Sequence, residues 1–486
     1  MKTRIHSLVS AAVAAVLFSV LGSSSLEKAN AAASSKINIV LILADDYGWK
    51  DLSCYGSDFY ETPNIDKLAH DGMEFTQAYA ACTVCSPTRA ALLTGKNPAR
   101  IHVTDWIPGQ MPENPKVIVP DWTKHLPPEE MNIARALHSA GYASISLGKW
   151  HLGGEEYYPD KQGFDFNIAG TEAANPKSYF APYKIATLPE GPDGEYLTDR
   201  LGDEAVRFIE TNKAKPFFLY FPHFAVHLPT QGKAALVEKY RAKKRVGQVQ
   251  SNEVYAAMIE SMDDTVGRIR RKLDELKMAD HTLVIFASDN GARIPTSSNL
   301  PLRAGKGSCY EGGTRVPFIV YWPGVTTPGS ICETPVISMD IYPTVLEIAG
   351  LKNEARNGVD GANLIPLLQQ KGKLKRDELF WHYPHYQHYQ LGGTTPYGAI
   401  RKGDFKLIEF FDDMRVELYN LKDDIGEQHN LTAQMPEKVE ELRARLHEWR
   451  KEVGAQMPSP NPNYDPSKPE HSPAAKQRKA EKKRPQ

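Results

Sequence analysis

Five long apolar runs mark the first two thirds of the 486-residue chain, and polar residues follow most of them closely. Stretches with helical periodicity, such as Asn252–Lys277, separate the runs. The runs are Lys36–Trp49, Tyr142–Gly153, Lys215–Pro229, His281–Gly291 and Val316–Gly324. Continuous apolar strands that alternate with helices are typical of a mainly parallel sheet that is buried on both faces. We therefore predict an α/β fold in which a large, mainly parallel sheet is sandwiched by helices over residues 34–373.

The pattern changes after residue 373. Short strand-like segments follow, with turn residues at 402–404 and 412–413, and an amphipathic helix covers 435–457. This order predicts a smaller C-terminal subdomain, an antiparallel sheet plus a helix, over residues 374–457. Residues 458–486 are rich in Pro, Lys and Arg and lack apolar periodicity, which predicts a disordered basic tail.

The N-terminus has the order of a secretory signal peptide. Lys2 and Arg4 precede an apolar stretch over residues 8–22, and small residues follow. An uncleaved anchor helix is the alternative, but the apolar stretch is shorter than the about 20 residues that span a bilayer. We predict a signal peptide over residues 1–33, a periplasmic or secreted mature protein and no stable membrane insertion. The net charge of −1 offers no global field for nucleic acid, so no nucleic-acid partner is expected.

Polar side chains cluster after the strands. Asp45–Asp46 and Asp289–Asn290 each end an apolar run, and the carboxyl ends of parallel strands meet at one edge of a sheet. Turns and helix caps explain such pairs as well. Together, however, the two pairs offer four hard oxygen ligands of the kind that Ca²⁺ or Mg²⁺ prefers.

Other strand ends carry candidate groups for proton transfer and anion binding. His151 and His227 are suited to proton transfer near neutral pH, and the nearby His223 competes with His227 for this role. Lys149 could donate hydrogen bonds to an anion, and Lys306 lies in a Gly-rich loop over residues 303–318. An ordinary surface turn is the alternative for each of them.

Cys82 and Cys85 form a Cys-x-x-Cys among only five cysteines. A redox pair or half of a zinc site would use this spacing, but no second such pair and no small redox domain accompany it. The residues after Cys85 indicate a third interpretation of this cysteine, besides a redox pair and a zinc ligand. A cysteine at the start of a helix faces free backbone N–H groups and the positive end of the helix dipole, and Arg89 lies one turn later. This arrangement predicts an anion site built around one reactive side chain.

The segment Cys85-Ser86-Pro87-Thr88-Arg89 resembles the Cys-x-Pro-x-Arg signature of the type I, formylglycine-dependent sulfatases of the alkaline phosphatase superfamily. The segments LADDYGWKDLSCYG, TPNIDKLAHDG, GKWHLG, SDNGA and GKGSCYEGGTRVPF also look like that family, and they occur in its order. The resemblance covers nearly the whole mature chain. The chain is similar in particular to bacterial polysaccharide-degrading arylsulfatase-like enzymes.

The resemblance implies two cofactors. Ca²⁺ would be held by four residues, Asp45, Asp46, Asp289 and Asn290. A formylglycine-generating maturation enzyme would oxidise Cys85 to formylglycine (3-oxoalanine), and the hydrated aldehyde would be the nucleophile. Arg89 would hold that hydrate.

The resemblance also implies roles around the sulfate. Lys149, His227 and Lys306 would bind it. His227 would protonate the departing alcohol, and His151 would contact and deprotonate the hydrate. Thr171 matches a further hydroxyl position of the family only poorly.

The sequence thus predicts a sulfatase that hydrolyses sulfate monoesters. Two loops rich in His, Trp and Tyr, over residues 100–110 and 381–393, suit a sugar ring, although packing at the domain junction would also explain them. By resemblance, we expect a sulfated carbohydrate substrate, a galactose or N-acetylgalactosamine sulfate, with the sulfate at the 4-position. The alternatives are a phosphomonoesterase or phosphonate hydrolase of the same superfamily, or a sulfated-glycan binding protein with an unconverted Cys85.

Overall fold

The apolar runs form strands of a large central sheet. The computed structural model describes residues 36–244, 250–351, 358–387 and 394–468. Its strands are, in chain order, β1 (Asn38–Ala44), β2 (Met73–Phe75), β3 (Ala78–Tyr79), β4 (Val117–Ile118), β5 (Ala143–Leu147), β6 (Phe166–Ile168), β7 (Phe217–Pro222), β8 (Thr282–Ser288), β9 (Phe318–Tyr321), β10 (Ser330–Cys332), β11 (Val336–Ile337), β12 (Glu378–Tyr383), β13 (Tyr397–Lys402), β14 (Phe405–Phe410), β15 (Val416–Asn420) and β16 (Ser459–Pro460).

The α-helices lie between these strands and after them. They are, in chain order, α1 (Pro63–Asp71), α2 (Cys85–Thr94), α3 (Pro98–Ile101), α4 (Ile133–Ser139), α5 (Leu197–Thr211), α6 (Ala234–Ala242), α7 (Glu253–Glu275), α8 (Glu311–Thr314), α9 (Ile341–Ile348), α10 (Ile365–Leu368) and α11 (Pro436–Glu452).

The central sheet has eight strands in the order β10-β2-β9-β8-β1-β7-β5-β6. Strand β1 pairs in parallel with both β7 and β8, and β5 is parallel to β6 and β7. Only β9 runs antiparallel to its neighbours β2 and β8. The prediction of a large, mainly parallel sheet is therefore confirmed.

Both faces of strand β1 are buried, which explains its unbroken apolar sequence. Val40, Ile42 and Ala44 join the core on one face of the sheet, which helices α1, α5 and α7 cover. Ile39, Leu41 and Leu43 join the core on the other face, which α4 and α9 cover. Successive side chains of a strand point to opposite faces, so a strand buried on both sides must be apolar throughout.

The C-terminal part forms a second, antiparallel sheet in the order β12-β13-β14-β15. Helix α11 covers one face, where the Phe380 and Trp449 rings stack with centroids 4.7 Å apart. The other face packs against the first part of the chain, and the Trp381 indole N–H donates to the Ala80 carbonyl at 2.9 Å. The predicted smaller sheet with its helix is confirmed.

A buried charge cluster joins the two parts. The Lys406 ammonium of β14 lies 3.0 Å from Glu311 Oε1 and 2.9 Å from Glu427 Oε1. Tyr79 donates its hydroxyl proton to Glu311 Oε2 at 2.7 Å, and Arg401 contacts the same hydroxyl. Lys406, Glu311 and Glu427 are at most 1% exposed. Buried charges are tolerated only when they are paired in this way, so these ion pairs tie the two parts of the chain together at this junction.

The prediction of a disordered tail from residue 458 is wrong for residues 458–468. Ser459–Pro460 pairs antiparallel with Val117–Ile118, and the Asn114 side-chain amide donates to the carbonyls of Asp465 and Lys468 at 2.8 and 3.0 Å. Backbone and amide hydrogen bonds order this segment, so it needs no apolar residues to pack against the rest of the protein. Residues 469–486 of the predicted tail and the predicted signal peptide lie outside the described residues. No described helix is long and apolar enough to cross a membrane.

Candidate active site

The ends of four neighbouring strands bring the predicted site residues to one edge of the central sheet. Asp45–Asp46 follow β1, Asp289–Asn290 follow β8, Lys149 and His151 follow β5, and His227 follows β7. These strands are adjacent in the order β8-β1-β7-β5. Cys85 is the first residue of α2 and is 2% exposed. All ten sequence-predicted site residues belong to this region, and the contacts below connect them.

The acidic residues form a compact set of oxygen atoms. Asp46 donates its backbone N–H to Asp289 Oδ1 at 3.2 Å, and Asn290 donates from Nδ2 to Asp46 Oδ1 at 2.8 Å. Asp46 Oδ2 and Asn290 Oδ1 are buried acceptors without a hydrogen-bond partner in the structure. One ligand atom each from Asp45, Asp46, Cys85 and His227 lies within 4.8 Å of the others. Orphaned hard oxygens in a carboxylate-rich pocket fit Ca²⁺, which prefers oxygen ligands.

Three buried cations face the three carboxylates. Arg89 donates from Nε and Nη2 to Asp289 Oδ2 at 3.0 and 2.7 Å. The Lys149 ammonium lies 2.7 Å from Asp45 Oδ2, and the Lys306 ammonium lies 2.6 Å from Asp46 Oδ1. Burial raises the pKa of Asp45 to about 7, although Lys149 opposes the shift. Burial also acts to raise the pKa of Asp46, but Lys306 and its neighbours outweigh it and hold that pKa below its usual range.

Cys85 lies between the two sets of charges. Its thiol donates to Asp45 Oδ1 at 3.6 Å, and Lys306 Nζ lies 3.4 Å from its Sγ. Burial raises the pKa of this thiol to about 12, despite the opposing effect of Lys149 and Lys306. The thiolate is the nucleophilic form of cysteine, so Cys85 as encoded is a poor nucleophile at neutral pH.

The loop that carries Lys306 is pressed against the end of β8 by close backbone contacts. A Cβ atom on Gly291 would lie 1.8 Å from the Gly312 carbonyl oxygen, so only glycine allows this approach. The Gly291 N–H donates to the Gly313 carbonyl at 3.0 Å, and the Lys306 backbone N–H donates to the Ala292 carbonyl at 3.0 Å. The glycines of this loop therefore place Lys306 at the site.

His151 is held from both sides. Its Nε2 lies 2.6 Å from the Ile107 carbonyl oxygen, and its backbone carbonyl accepts a hydrogen bond from the Ser86 hydroxyl at 2.9 Å. Its Nδ1 is buried without a hydrogen-bond partner in the structure. Burial, reinforced by Lys149, lowers its pKa well below the ordinary value, which keeps the imidazole neutral.

His227 faces the carboxylates. Its Nε2 lies 3.5 Å from Asp46 Oδ2, and its Nδ1 lies 3.2 Å from the Leu228 carbonyl oxygen. Burial and Lys306 lower its pKa, and Asp46 opposes this shift. His223, its competitor in the sequence, stacks on Phe221 with ring centroids 3.8 Å apart, and its Nε2 lies 3.5 Å from Thr265 Oγ1. The structure therefore brings His227 to the site and places His223 in the core beside it.

Thr171 contacts the site through its backbone. Its carbonyl accepts the His151 N–H at 2.9 Å, whereas its hydroxyl accepts the N–H of Ala173 at 3.2 Å. The described contacts therefore direct the hydroxyl into its own turn. The cysteines form no disulfide: all five are free, and Cys82 is buried in the apolar junction.

Several contacts have no signal in the sequence. The Ile107 carbonyl that accepts from His151 belongs to the backbone, and any residue could supply it. The Tyr255 hydroxyl donates to Asp51 Oδ2 at 2.7 Å and lies 3.2 Å from the Asp46 carbonyl oxygen. These two contacts fix the loop after β1 against helix α7. Tyr255 reads in the sequence as one more apolar position of an amphipathic helix.

The two aromatic loops contact each other. Tyr383 donates its hydroxyl proton to Asp105 Oδ1 at 2.6 Å, and Thr104 Oγ1 lies 2.8 Å from His385 Nε2. Residues 388–393 of the second loop lie outside the described residues.

An α/β fold that gathers paired carboxylates, buried cations and two histidines at the carboxyl edge of its sheet defines a hydrolase of oxyanion esters. The family profile described as Sulfatase matches residues 37–351, and the profile described as N-sulphoglucosamine sulphohydrolase, C-terminal, matches residues 305–454. The chain belongs to the sulfatase family, and it is a sulfuric ester hydrolase.

Relatives agree with this assignment. The chain is 36% identical over 482 residues to a protein of Formosa agariphila called Sulfatase, covering 83% of this chain and 86% of the relative. It is 35% identical over 375 residues to human N-acetylgalactosamine-6-sulfatase, covering 71% and 68%. A crystal structure of Ps i-CgsB in complex with k-i-k-neocarrahexaose superposes with a TM-score of 0.71 at 30% identity, covering 85% of this chain and 92% of that one.

Proposed function

We propose that this chain is an exported, calcium-dependent sulfatase that removes sulfate from a sulfated glycan, with a nucleophile made from Cys85. The observation that carries the proposal is the position of the Cys85 Sγ, 3.6 Å from an Asp45 oxygen and 3.4 Å from the Lys306 ammonium. Cys85 also stands first in the Cys-x-Pro-x-Arg segment, at the start of helix α2. An oxyanion bound there would meet both the cation site and the ammonium groups.

The residues present fit the two groups that the family implies. The predicted calcium ligands Asp45, Asp46, Asp289 and Asn290 supply three carboxylates and one amide oxygen, two of whose oxygens are orphaned. Calcium at this position would neutralise charge on the ester, and formylglycine made from Cys85 by a maturation enzyme would supply, as its hydrate, the hydroxyl nucleophile.

The residues of the chain would then bind the ester and move its protons. Lys149 and Lys306 place their ammonium groups where they would hold the sulfate oxygens, and Arg89 adds positive charge behind position 85. His227, as the imidazolium that Asp46 favours, would donate its Nε2 proton to the oxygen of the departing alcohol. His151 would accept a proton at Nδ1, its unpartnered nitrogen.

The substrate proposal is a sulfated galactose or N-acetylgalactosamine unit. Human N-acetylgalactosamine-6-sulfatase, at 35% identity, and the neocarrahexaose complex, at 30%, support a sulfated sugar of this kind. The 4-position predicted for the sulfate has no support from these relatives, and the name of the human enzyme favours the 6-position. The signal-peptide pattern over residues 1–33 supports export to the periplasm or the medium.

The proposal is tested on protein made in a host that converts such cysteines. Peptide mass analysis should find the aldehyde at Cys85 and not at Cys82. The enzyme should cleave an aryl sulfate faster than the matched aryl phosphate, and it should release sulfate from galactose or N-acetylgalactosamine sulfates assayed separately at the 4- and 6-positions. Faster cleavage of the phosphate, or full turnover with an unconverted Cys85, would contradict it.

A further inference from the structure

The segment over residues 104–110 is folded around the carboxylate of Asp105. Oδ1 of Asp105 accepts hydrogen bonds from the Tyr383 hydroxyl at 2.6 Å, from Gln387 Nε2 at 3.2 Å and from its neighbouring Trp106 N–H at 2.8 Å. A Cβ atom on Gly109 would lie 3.1 Å from Asp105 Oδ2, so the loop closes over the second oxygen as well. One carboxylate thus ties this loop to strand β12 and the residues that follow it.

Two residues further on, the same segment holds His151. The backbone N–H of Ile107 donates to the Ser86 hydroxyl at 3.2 Å, which in turn donates to the His151 carbonyl at 2.9 Å. The Ile107 carbonyl lies 2.6 Å from His151 Nε2. A carbonyl oxygen can only accept, so the proton of the neutral imidazole must be on Nε2. This tautomer leaves the lone pair on Nδ1.

We infer that Asp105 is a positioning residue for His151, because its carboxylate fixes the segment 105–107 so that the Ile107 carbonyl keeps His151 in the Nε2–H tautomer. The inference rests on the proposed role of His151 as the group that accepts a proton. Tyr383 and Gln387 belong to the C-terminal part of the chain, so that part reaches the proton-accepting histidine through Asp105.

A sugar-binding role for Asp105 is the competing explanation, since both aromatic loops meet here. The burial of Asp105 argues against it. The residue is 1% exposed, and Oδ1 already accepts from three donors of the protein itself. A sugar hydroxyl could reach this carboxylate only if the loop opened.

The test is a double-mutant cycle on the full-length, converted enzyme, with Asp105→Ala and His151→Ala made singly and together. Asp105→Ala should lower kcat about tenfold or more while KM changes less than about twofold, since the lost effect is on proton transfer. In the His151→Ala background the same change should cost less than about twofold, because a residue that acts through His151 has no further effect once His151 is gone. Equal losses in both backgrounds, or a rise in KM with kcat unchanged, would overturn the inference.

Milder variants guard against a protein that fails to fold. Tyr383→Phe removes one donor to Asp105 and should lower kcat in the same way, to a smaller extent. Tyr386→Phe is its matched control, because the buried Tyr386 hydroxyl accepts from Val117 N–H at 3.0 Å instead. Asp105→Asn keeps the shape of the side chain and should retain more activity than Asp105→Ala. Equal losses for Tyr383→Phe and Tyr386→Phe would count against a specific role for Asp105.

A measurement independent of turnover separates this inference from the proposed function. In protein labelled with ¹⁵N-histidine, the His151 signals, assigned by their loss in His151→Ala, should report an Nε2–H tautomer in the wild type. In Asp105→Ala they should shift towards Nδ1–H or a mixture. An unchanged tautomer would overturn the inference even if activity falls. A wild-type enzyme that shows the expected tautomer but cleaves no sulfate ester would refute the proposed function alone.

Discussion

The Sγ atom of Cys85 lies 3.6 Å from Oδ1 of Asp45, so the residue proposed to become the nucleophile is in direct contact with a predicted calcium ligand. Replacing Cys85 by Ala should abolish turnover, by at least about 10³-fold, while the melting temperature and calcium binding stay close to wild type. Cys82→Ala is the matched control, since Cys82 is equally buried three residues earlier but belongs to the apolar junction. Wild-type turnover in Cys85→Ala would refute the assignment of the nucleophile.

Removal of the cation should remove activity. Exhaustive dialysis against a chelator should abolish hydrolysis, and Ca²⁺ should restore it better than Zn²⁺, because the orphaned atoms are hard oxygens. Asp46→Asn should weaken Ca²⁺ binding at least about tenfold, as measured by calorimetry. An active enzyme without bound metal by elemental analysis would show that the carboxylates serve only as partners of the lysines.

The two histidines after β7 should respond differently to the leaving group. His227→Ala should slow sulfate esters of poor leaving groups, such as sugar alcohols, far more than an aryl sulfate, because an alkoxide needs a proton and a nitrophenolate hardly does. The measurement is kcat/KM across esters of increasing leaving-group pKa. His223→Ala should give no such trend, since His223 is stacked on Phe221 in the core. A trend for His223→Ala alone would show that the acid had been misassigned.

The buried junction predicts a pH dependence of stability. Burial, with help from Glu311, raises the pKa of Glu427 from 4.5 to about 7, against the opposing effect of Lys406. A carboxyl group whose folded-state pKa is raised binds a proton more tightly in the folded state. Its stabilising contribution is therefore complete below pH 4.5 and is lost as the pH rises to about 7. Glu427→Gln removes this titration. The melting temperature of the variant minus that of the wild type at the same pH should therefore increase as the pH rises from 4.5 to about 7.

The exposed Glu440 of α11 provides the control for that experiment. Glu440→Gln should shift the melting temperature by the same small amount at every pH between 4.5 and 7. A Glu427→Gln profile parallel to that of wild type would mean that Glu427 is ionised in the folded protein throughout the range.

The local sequence was sufficient to predict the fold and the position of site residues where one physical constraint acted on consecutive residues. Strand β1 had to be apolar because both of its faces are buried, and the rule that parallel strands share a carboxyl edge then placed Asp45 near Asp289. The glycines around Lys306 predicted only a turn-rich loop, and the close approach of Gly291 to the Gly312 carbonyl is a finding of the structure.

Contacts made by generic backbone groups, or between distant side chains, gave no such signal. Nothing in the sequence marks the Ile107 carbonyl as the partner of His151, because every residue has a carbonyl group. The pairing of Lys406 with Glu311 joins residues 95 positions apart and depends on how two sheets meet. The tail at Ser459 was predicted to be disordered from its composition, but strand pairing with Val117–Ile118 requires only the backbone.

The Lys406 cluster also limits how this enzyme could be recombined. The two family profiles overlap over residues 305–351, which include Glu311 but not its partners Lys406 and Glu427. A chimera that joined the first half of this chain to the C-terminal half of another sulfatase would keep Glu311 and its partner Arg315, 3.4 Å away, but would lose the nearer cation Lys406. Exchange of either half should therefore be tolerated best when the donor brings a cation in place of Lys406 and a carboxylate in place of Glu427.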